Sequence, residues 1–258
     1  MPRNARKKCE SGIYHVIVRG INRQNIFHDD EDYQRFLETI GRIKNPDKFE
    51  LYGYCLMGNH VHLLLHEQKA EIAIIMKRIG ISYAWWYNWR YDRVGHVFQD
   101  RYKSETVEDD KYLLSLLRYI HNNPVKAQMV REPEEYKWSS CRSYYGVNEY
   151  PKGLTNSAWI LGIFSDDEES GKRKFKEFMN QENSDQFLDV KITQRRTDED
   201  LYTEIQQKIP NGQRITMLQT MDKQKRDEIL RQIKEIEGAT QRQIARVTGI
   251  SQSIVFKA

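Results

Sequence analysis

The segment Gly58-Asn59-His60-Val61-His62-Leu63-Leu64-Leu65 constrains this chain more than any other. From position 60 onward it is apolar enough to be a buried strand, yet it opens on two imidazoles. Side chains at i and i+2 of a strand point to the same face, so His60 and His62 project together while Val61 turns into the opposite layer. Two neutral imidazoles on one face are half of a site for a divalent ion. A third ligand, oxygen or amide, would complete it, with open positions for water or phosphate if the site is catalytic. The alternative is a strand that carries two histidines and no metal. His66 shares their parity but lies about 13 Å from His60 by strand rise, too far to hold the same ion.

The flanking pattern tells what kind of sheet would hold that strand. Ile13-Tyr14-His15-Val16-Ile17-Val18 alternates and is β-branched, which predicts a first strand ending near Gly20. Asp29 and Asp30 offer helix caps, and Tyr33, Phe36, Leu37 and Ile40 recur at helical spacing until Asn45-Pro46-Asp47 should stop the helix. Residues 49–57 read as a second strand, and Gly58-Asn59 as a hairpin turn that returns residues 60–66 antiparallel. A long helix over 70–90, short β-like segments to Phe98 and over 103–107, and a helix over 109–121 complete the order. Strand, helix, hairpin, helix, strand, helix predicts an α+β fold, a split-βαβ, ferredoxin-like antiparallel sheet with helices on one side.

At 258 residues, 39% hydrophobic and 30% charged, the chain can bury one core of about 150 residues and a smaller second module. Three parts are expected. Residues 8–150 form the main domain, with the aromatic stretch 136–150 packing back on it. Residues 151–208 form a polar connecting region with short helices, such as 173–179, and an acidic loop at 165–171. Residues 209–258 form a helix-turn-helix module. Cys9, Cys55 and Cys141 make no Cys-x-x-Cys pair, which argues against a disulfide framework or a zinc ribbon. No apolar run nears the roughly 18 residues of a membrane span, and residues 1–10 lack a signal-peptide core, so a soluble, cytoplasmic protein with no membrane partner is expected. The net charge of +4 is modest, so nucleic-acid affinity must come from local clusters of cations.

Such a cluster lies at the C-terminus. A charged amphipathic helix opens at Asp222; Thr240 then caps a helix over 241–248, Gly249-Ile250-Ser251 turns the chain, and a last helix covers 252–257. Ile244, Ala245, Val247, Ile250, Ile254 and Val255 form the apolar set, the arrangement of a helix-turn-helix. Arg242, Arg246 and Lys257 stand in a stretch, 240–258, without Asp or Glu, as phosphate contact favours. A plain helical hairpin is the rival reading. In the main domain Arg19 and Arg23 could bind the DNA backbone, with surface solvation as the alternative. Likewise Trp85-Trp86-Tyr87-Asn88-Trp89 could stack unpaired bases or belong to the core.

Two imidazoles beside a nucleic-acid-binding module suggest phosphodiester chemistry, with the ion polarising the scissile phosphate. The helix over 109–121 offers two phenols as nucleophile, Tyr112 and Tyr119. Tyr119 is the better placed, because Asn123 follows four residues later on the same face if the helix continues, and its amide oxygen could be the third ligand.

Gly58-Asn59-His60-Val61-His62, together with Arg118-Tyr119-Ile120-His121-Asn122-Asn123-Pro124-Val125-Lys126-Ala127 and the earlier Tyr14-His15-Val16-Ile17-Val18-Arg19-Gly20 and Asn22-Arg23, resembles the single-tyrosine transposases of the HUH class. It is most similar to the REP-associated tyrosine transposases, over about residues 8–150. The resemblance implies a ferredoxin-like domain that cuts and rejoins single-stranded or hairpin DNA. Tyr119 would be the nucleophile, forming a 5′-phosphotyrosine link and leaving a 3′-hydroxyl. His60, His62 and Asn123 would hold Mg2+ or Mn2+. The C-terminal module looks like the origin-binding type of helix-turn-helix, which implies added duplex contact. Monomer and dimer both occur in the class, and residues 109–123 do not choose between them. Two rivals stay open: a DNA-binding regulator with a silent site, and a metal-dependent nuclease that uses water.

Overall fold

The computed structural model describes residues 9–147, 149–181, 187, 198–209, 214–236 and 239–258. The chain folds as two units, Met1–Asp189 and Val190–Ala258.

The first unit is built on four strands, β1 (Ile13–Arg19), β2 (Glu50–Met57), β3 (His60–His66) and β4 (Lys103–Thr106), in the order β2-β3-β1-β4 with all neighbours antiparallel. That is the ferredoxin-like order, and β2 and β3 pair from Met57↔His60 onward as the predicted hairpin. The three long strands are buried along almost their whole length. Strands covered on both faces read as near-continuous apolar runs. Helices α1 (Asp30–Asp47) and α2 (Ile72–Arg90) pack together on one face, where Val18, Phe36, Met76 and Ile79 line a common cavity of about 350 Å³. The third, α3 (Asp110–Lys126), takes the opposite face and crosses β2. Gly53 permits that crossing, since a Cβ there would meet Leu117 Cδ1 of α3 at 2.4 Å.

Local chemistry explains most helix starts. Asp29 accepts from Glu31 N and Asp32 N at 3.1 and 3.3 Å while the Asp32 carboxylate accepts from Asp29 N, a reciprocal cap for α1. Helix α1 ends on Asp47, within the expected stop Asn45-Pro46-Asp47 and three residues beyond Lys44, and Lys48 caps it in the left-handed region at φ 45°. The expected acidic loop over 165–171 is also corrected. Asp167 accepts from Ser170 N at 2.8 Å and caps α6 (Glu168–Met179), whose first turn holds Glu168 and Glu169 against the helix dipole.

The polar stretch 151–208 divides between the two units. Helix α5 (Ser157–Phe164) and α6 bury Ile160, Leu161, Phe175 and Met179 in the first core, where α4 (Cys141–Tyr144) adds Tyr144, stacked on Phe175. Residues 182–186 and 188–197 of that stretch lie outside the described residues. Helix α7 (Asp198–Lys208) joins the second core through Leu201 and Ile205, with α8 (Lys223–Lys234), α9 (Gln241–Thr248) and α10 (Gln252–Lys257) around it. Thr240 caps α9 by accepting from Gln243 N at 3.2 Å. Gly249 ends it at φ 69°, where a Cβ would come within 2.1 Å of Gln219 Nε2. No helix among the described residues is long and apolar enough to cross a membrane.

Candidate active site on the histidine face of the sheet

Strand parity brings the predicted imidazoles together. In the β1–β3 register Ile17 faces His62 and Arg19 faces His60, so Arg19 belongs to the same sheet face as the pair. The His60 and His62 rings lie 5.0 Å apart, nearly perpendicular. Tyr119, on α3 and only 6% exposed, has its ring centre 5.9 Å from that of His62 and 6.4 Å from that of His15, nearly perpendicular to both. Tyr112 is two turns away, with Phe187 against its ring at 5.4 Å. Of the two phenols on the helix, Tyr119 is therefore the one set against the histidines.

The helix does continue past Tyr119, and it does so through a proline. Pro124 has no N–H for the Ile120 carbonyl. The Asn123 amide nitrogen donates to that carbonyl at 3.4 Å and to Tyr119 O at 2.9 Å. With its NH2 group committed to the backbone, Asn123 has its amide oxygen left to accept or to ligate. Lys126, one turn further, places its ammonium 4.6 Å from the centre of the Tyr119 ring.

The ring nitrogens are engaged in a consistent way. His60 Nδ1 is 2.6 Å from Asn59 Oδ1, and His62 Nδ1 is 3.0 Å from His15 Nε2. Both rings are thus held through Nδ1. His62 Nε2 is buried and has no hydrogen-bond partner among the described residues. Burial, with the neighbouring His15 and His60, holds the His62 pKa well below its ordinary value, so its ring is neutral. A neutral imidazole anchored at one nitrogen and open at the other, as His62 is, suits a divalent cation. His60, His62 and the Asn123 oxygen are the groups that could hold one; among the described residues no cluster of three or more His, Cys, Asp or Glu could do so.

Three participants were not singled out by the sequence reading. His15 is fully buried beside His62, and its only sequence signal is a histidine inside a β-branched run. Phe187 covers Tyr119 at 5.0 Å from a stretch with no helical or strand pattern to mark it. Arg118 is buried, stacks on Phe178 at 4.2 Å and donates to Phe178 O at 3.0 Å, fastening the end of α6 to the tyrosine helix. Of the aromatic cluster on α2, Trp86 and Tyr87 are core, whereas Trp85 and Trp89 are 68% and 70% exposed.

The other predicted contacts fare differently. Arg23 is half-buried in a turn with φ 61°, where its carbonyl accepts from Asn59 Nδ2 at 3.3 Å. In the second unit Arg242 and Lys257 are exposed. Arg246 is held by a bidentate pair with Asp198, Nε–Oδ2 and Nη2–Oδ1 both 2.6 Å, and its hydrogen bonds keep the Asp198 carboxyl below its usual range. His66 accepts or donates at Tyr52 Oη, 2.9 Å, far from the pair.

Residues 8–123 match the family described as "Transposase IS200 like". That match supports transposase-like DNA processing as the activity of this domain. No curated protein matches the chain. Among solved structures it is similar to a REP-associated tyrosine transposase bound to a REP hairpin, at 19% identity and TM-score 0.49, covering 58% of this chain and 89% of that one. It is also similar to a protein of Deinococcus radiodurans R1 provisionally described as a transposase, at 20% identity and TM-score 0.34, covering 47% and 97%.

Proposed function

We propose that the chain is a single-tyrosine DNA strand transferase that cleaves and rejoins single-stranded or hairpin DNA. The observation that carries this reading is the placement of the Tyr119 ring, nearly perpendicular to the His62 ring with centres 5.9 Å apart, against the face that His60 and His62 share. Tyr119 Oη attacks the scissile phosphorus; an O–P bond forms to tyrosine, the P–O3′ bond breaks, and the leaving strand ends in a 3′-hydroxyl that takes up a proton. His60, His62 and Asn123 hold Mg2+ or Mn2+, which when bound polarises the phosphate and orients it for in-line attack. Lys126 stabilises the phenolate side of the reaction, and Arg19 and Arg23 contact the backbone of the bound strand. Burial of Tyr119 and His62 excludes water from the phosphotyrosine bond, so that a second DNA end rather than water reverses it.

In the second unit α9 and α10 act as a helix-turn-helix that adds duplex contact through Arg242, Lys257 and, once released from Asp198, Arg246. Incubating the purified chain with labelled hairpin DNA in manganese, followed by a denaturing protein gel, tests the catalytic reading. Label retained on the wild type and lost in Tyr119→Phe is the expected result. Cleavage without an adduct would favour water as nucleophile, and binding without cleavage a regulator.

A further inference from the structure

We infer that His15, backed by Glu105, is a positioning residue that decides which nitrogen of His62 faces the active site. The inference rests on the proposed role of His62 as a ligand. His15 and Glu105 are direct cross-strand partners in the β1–β4 register, and His62 is the diagonal neighbour of His15 on β3, all on one face. His15 is fully buried, its ring lies 5.3 Å from that of His62 and nearly parallel to it, and its Nε2 is 3.0 Å from His62 Nδ1. On its far side His15 Nδ1 is 3.5 Å from Glu105 Oε2.

Two neutral histidines joined this way have two equivalent proton arrangements, and the carboxylate separates them. With the proton of His15 on Nε2, its Nδ1 lone pair would face the Glu105 carboxylate, two acceptors without a hydrogen between them. With the proton on Nδ1, His15 donates to Glu105, and its Nε2 lone pair accepts from His62 Nδ1–H. Nε2 of His62 is then the bare, ligating nitrogen, the buried atom that has no partner among the described residues. One carboxylate on the edge strand thus fixes two tautomers in series. Asn59 does the same for His60 in a single step, through the 2.6 Å contact to its Nδ1. A histidine rather than an acid beside His62 keeps the buried contact neutral, with the charge left on the half-exposed Glu105.

The test is 15N NMR of the metal-free full-length chain, histidine-labelled, with manganese affinity by electron paramagnetic resonance as a second readout. The wild type should show His62 protonated at Nδ1 and bare at Nε2, and His15→Phe, which keeps a ring but no nitrogen, should lose that preference. Manganese affinity should fall about 10- to 100-fold in His15→Phe and stay within about threefold in Glu105→Gln, whose amide oxygen still accepts from His15. Should His15→Phe fail to fold, Glu105→Leu on the edge strand carries the same expectation of a lost tautomer preference. A proton on His62 Nε2 in the wild type, or unchanged tautomer and affinity in His15→Phe and Glu105→Leu, would overturn the inference. A wild type that binds no manganese but keeps the proton on Nδ1 would support the relay and sink the metal reading instead.

Discussion

The histidine face of the first unit and the α9–α10 hairpin of the second were both read from the sequence as contact points for DNA, and the fold treats the residues of the two readings differently. On the histidine face, residues 60, 62, 119 and 123 depend on two periodicities, strand parity and the helical turn. The fold preserves both, so His62 and Tyr119 meet although 57 positions separate them (119 minus 62). In the hairpin the same kind of reading relied on local charge. There Arg246 is taken by Asp198, 48 residues upstream, a partner outside the stretch that made the charge look unopposed. Periodicity is a property of the segment that carries it. Charge is a property of the surroundings, which a segment does not contain.

The largest effects should come from the histidine face. His62→Ala, like chelation of divalent ions, is expected to lower hairpin cleavage about a thousandfold, roughly 4 kcal/mol in the barrier, with hairpin binding nearly unchanged in a gel-shift assay. Full cleavage by His62→Ala would end the case for this face as the catalytic one. Gly53→Val comes next. It pushes Leu117 and with it α3 off the sheet, and overpacking of about 1–3 kcal/mol should lower the melting temperature. A shift of about 1 Å in Tyr119 would cost about 100-fold in cleavage rate. An unshifted rate would mean that the distance from α3 to the histidines is not limiting.

Acid stability measures the cost of burying neutral imidazoles behind the tyrosine helix. Burial pushes the His121 pKa down to about 3, against 6.5 for an open chain, and the ring is bonded to Ser140 Oγ at 2.8 Å. The unfolded chain takes up a proton below pH 6.5 and the folded one does not, so stability is full above pH 6.5 and falls as the pH drops toward 3. At pH 4.5 the loss should be on the order of 3 kcal/mol, two pH units at about 1.4 kcal/mol each. Denaturant titrations of the wild type and His121→Phe would reveal it, the variant showing the weaker pH dependence. The smallest effect is expected from the hairpin. Asp198→Ala releases Arg246, so duplex affinity should rise a few-fold and the salt dependence steepen by about one phosphate contact, with little change in folding. Identical salt slopes for the two proteins would remove Arg246 from the DNA contacts.

The strand order, the hairpin at Gly58-Asn59 and the parity of His60 and His62 were legible in the residues because each follows from a local repeat or turn. So were the caps at Asp29 and Thr240. The start of α6 was not, since Asp167-Glu168-Glu169 reads equally as loop and as helix cap. Continuation of α3 through Pro124 turned on the Asn123 side chain, which accounts for the carbonyl that the proline abandons.

What the sequence determined by itself was the sheet that holds the histidine pair and the helix that carries Tyr119, because their patterns repeat every two and every 3.6 residues. Only the tertiary structure decided that α3 crosses the histidine face, that His15 and Glu105 stand behind His62, that Phe187 covers Tyr119, and that Asp198 holds Arg246. Each of these joins residues from separate segments of the chain. Such pairings are set by the shape into which the segments pack, to which no single segment holds the key.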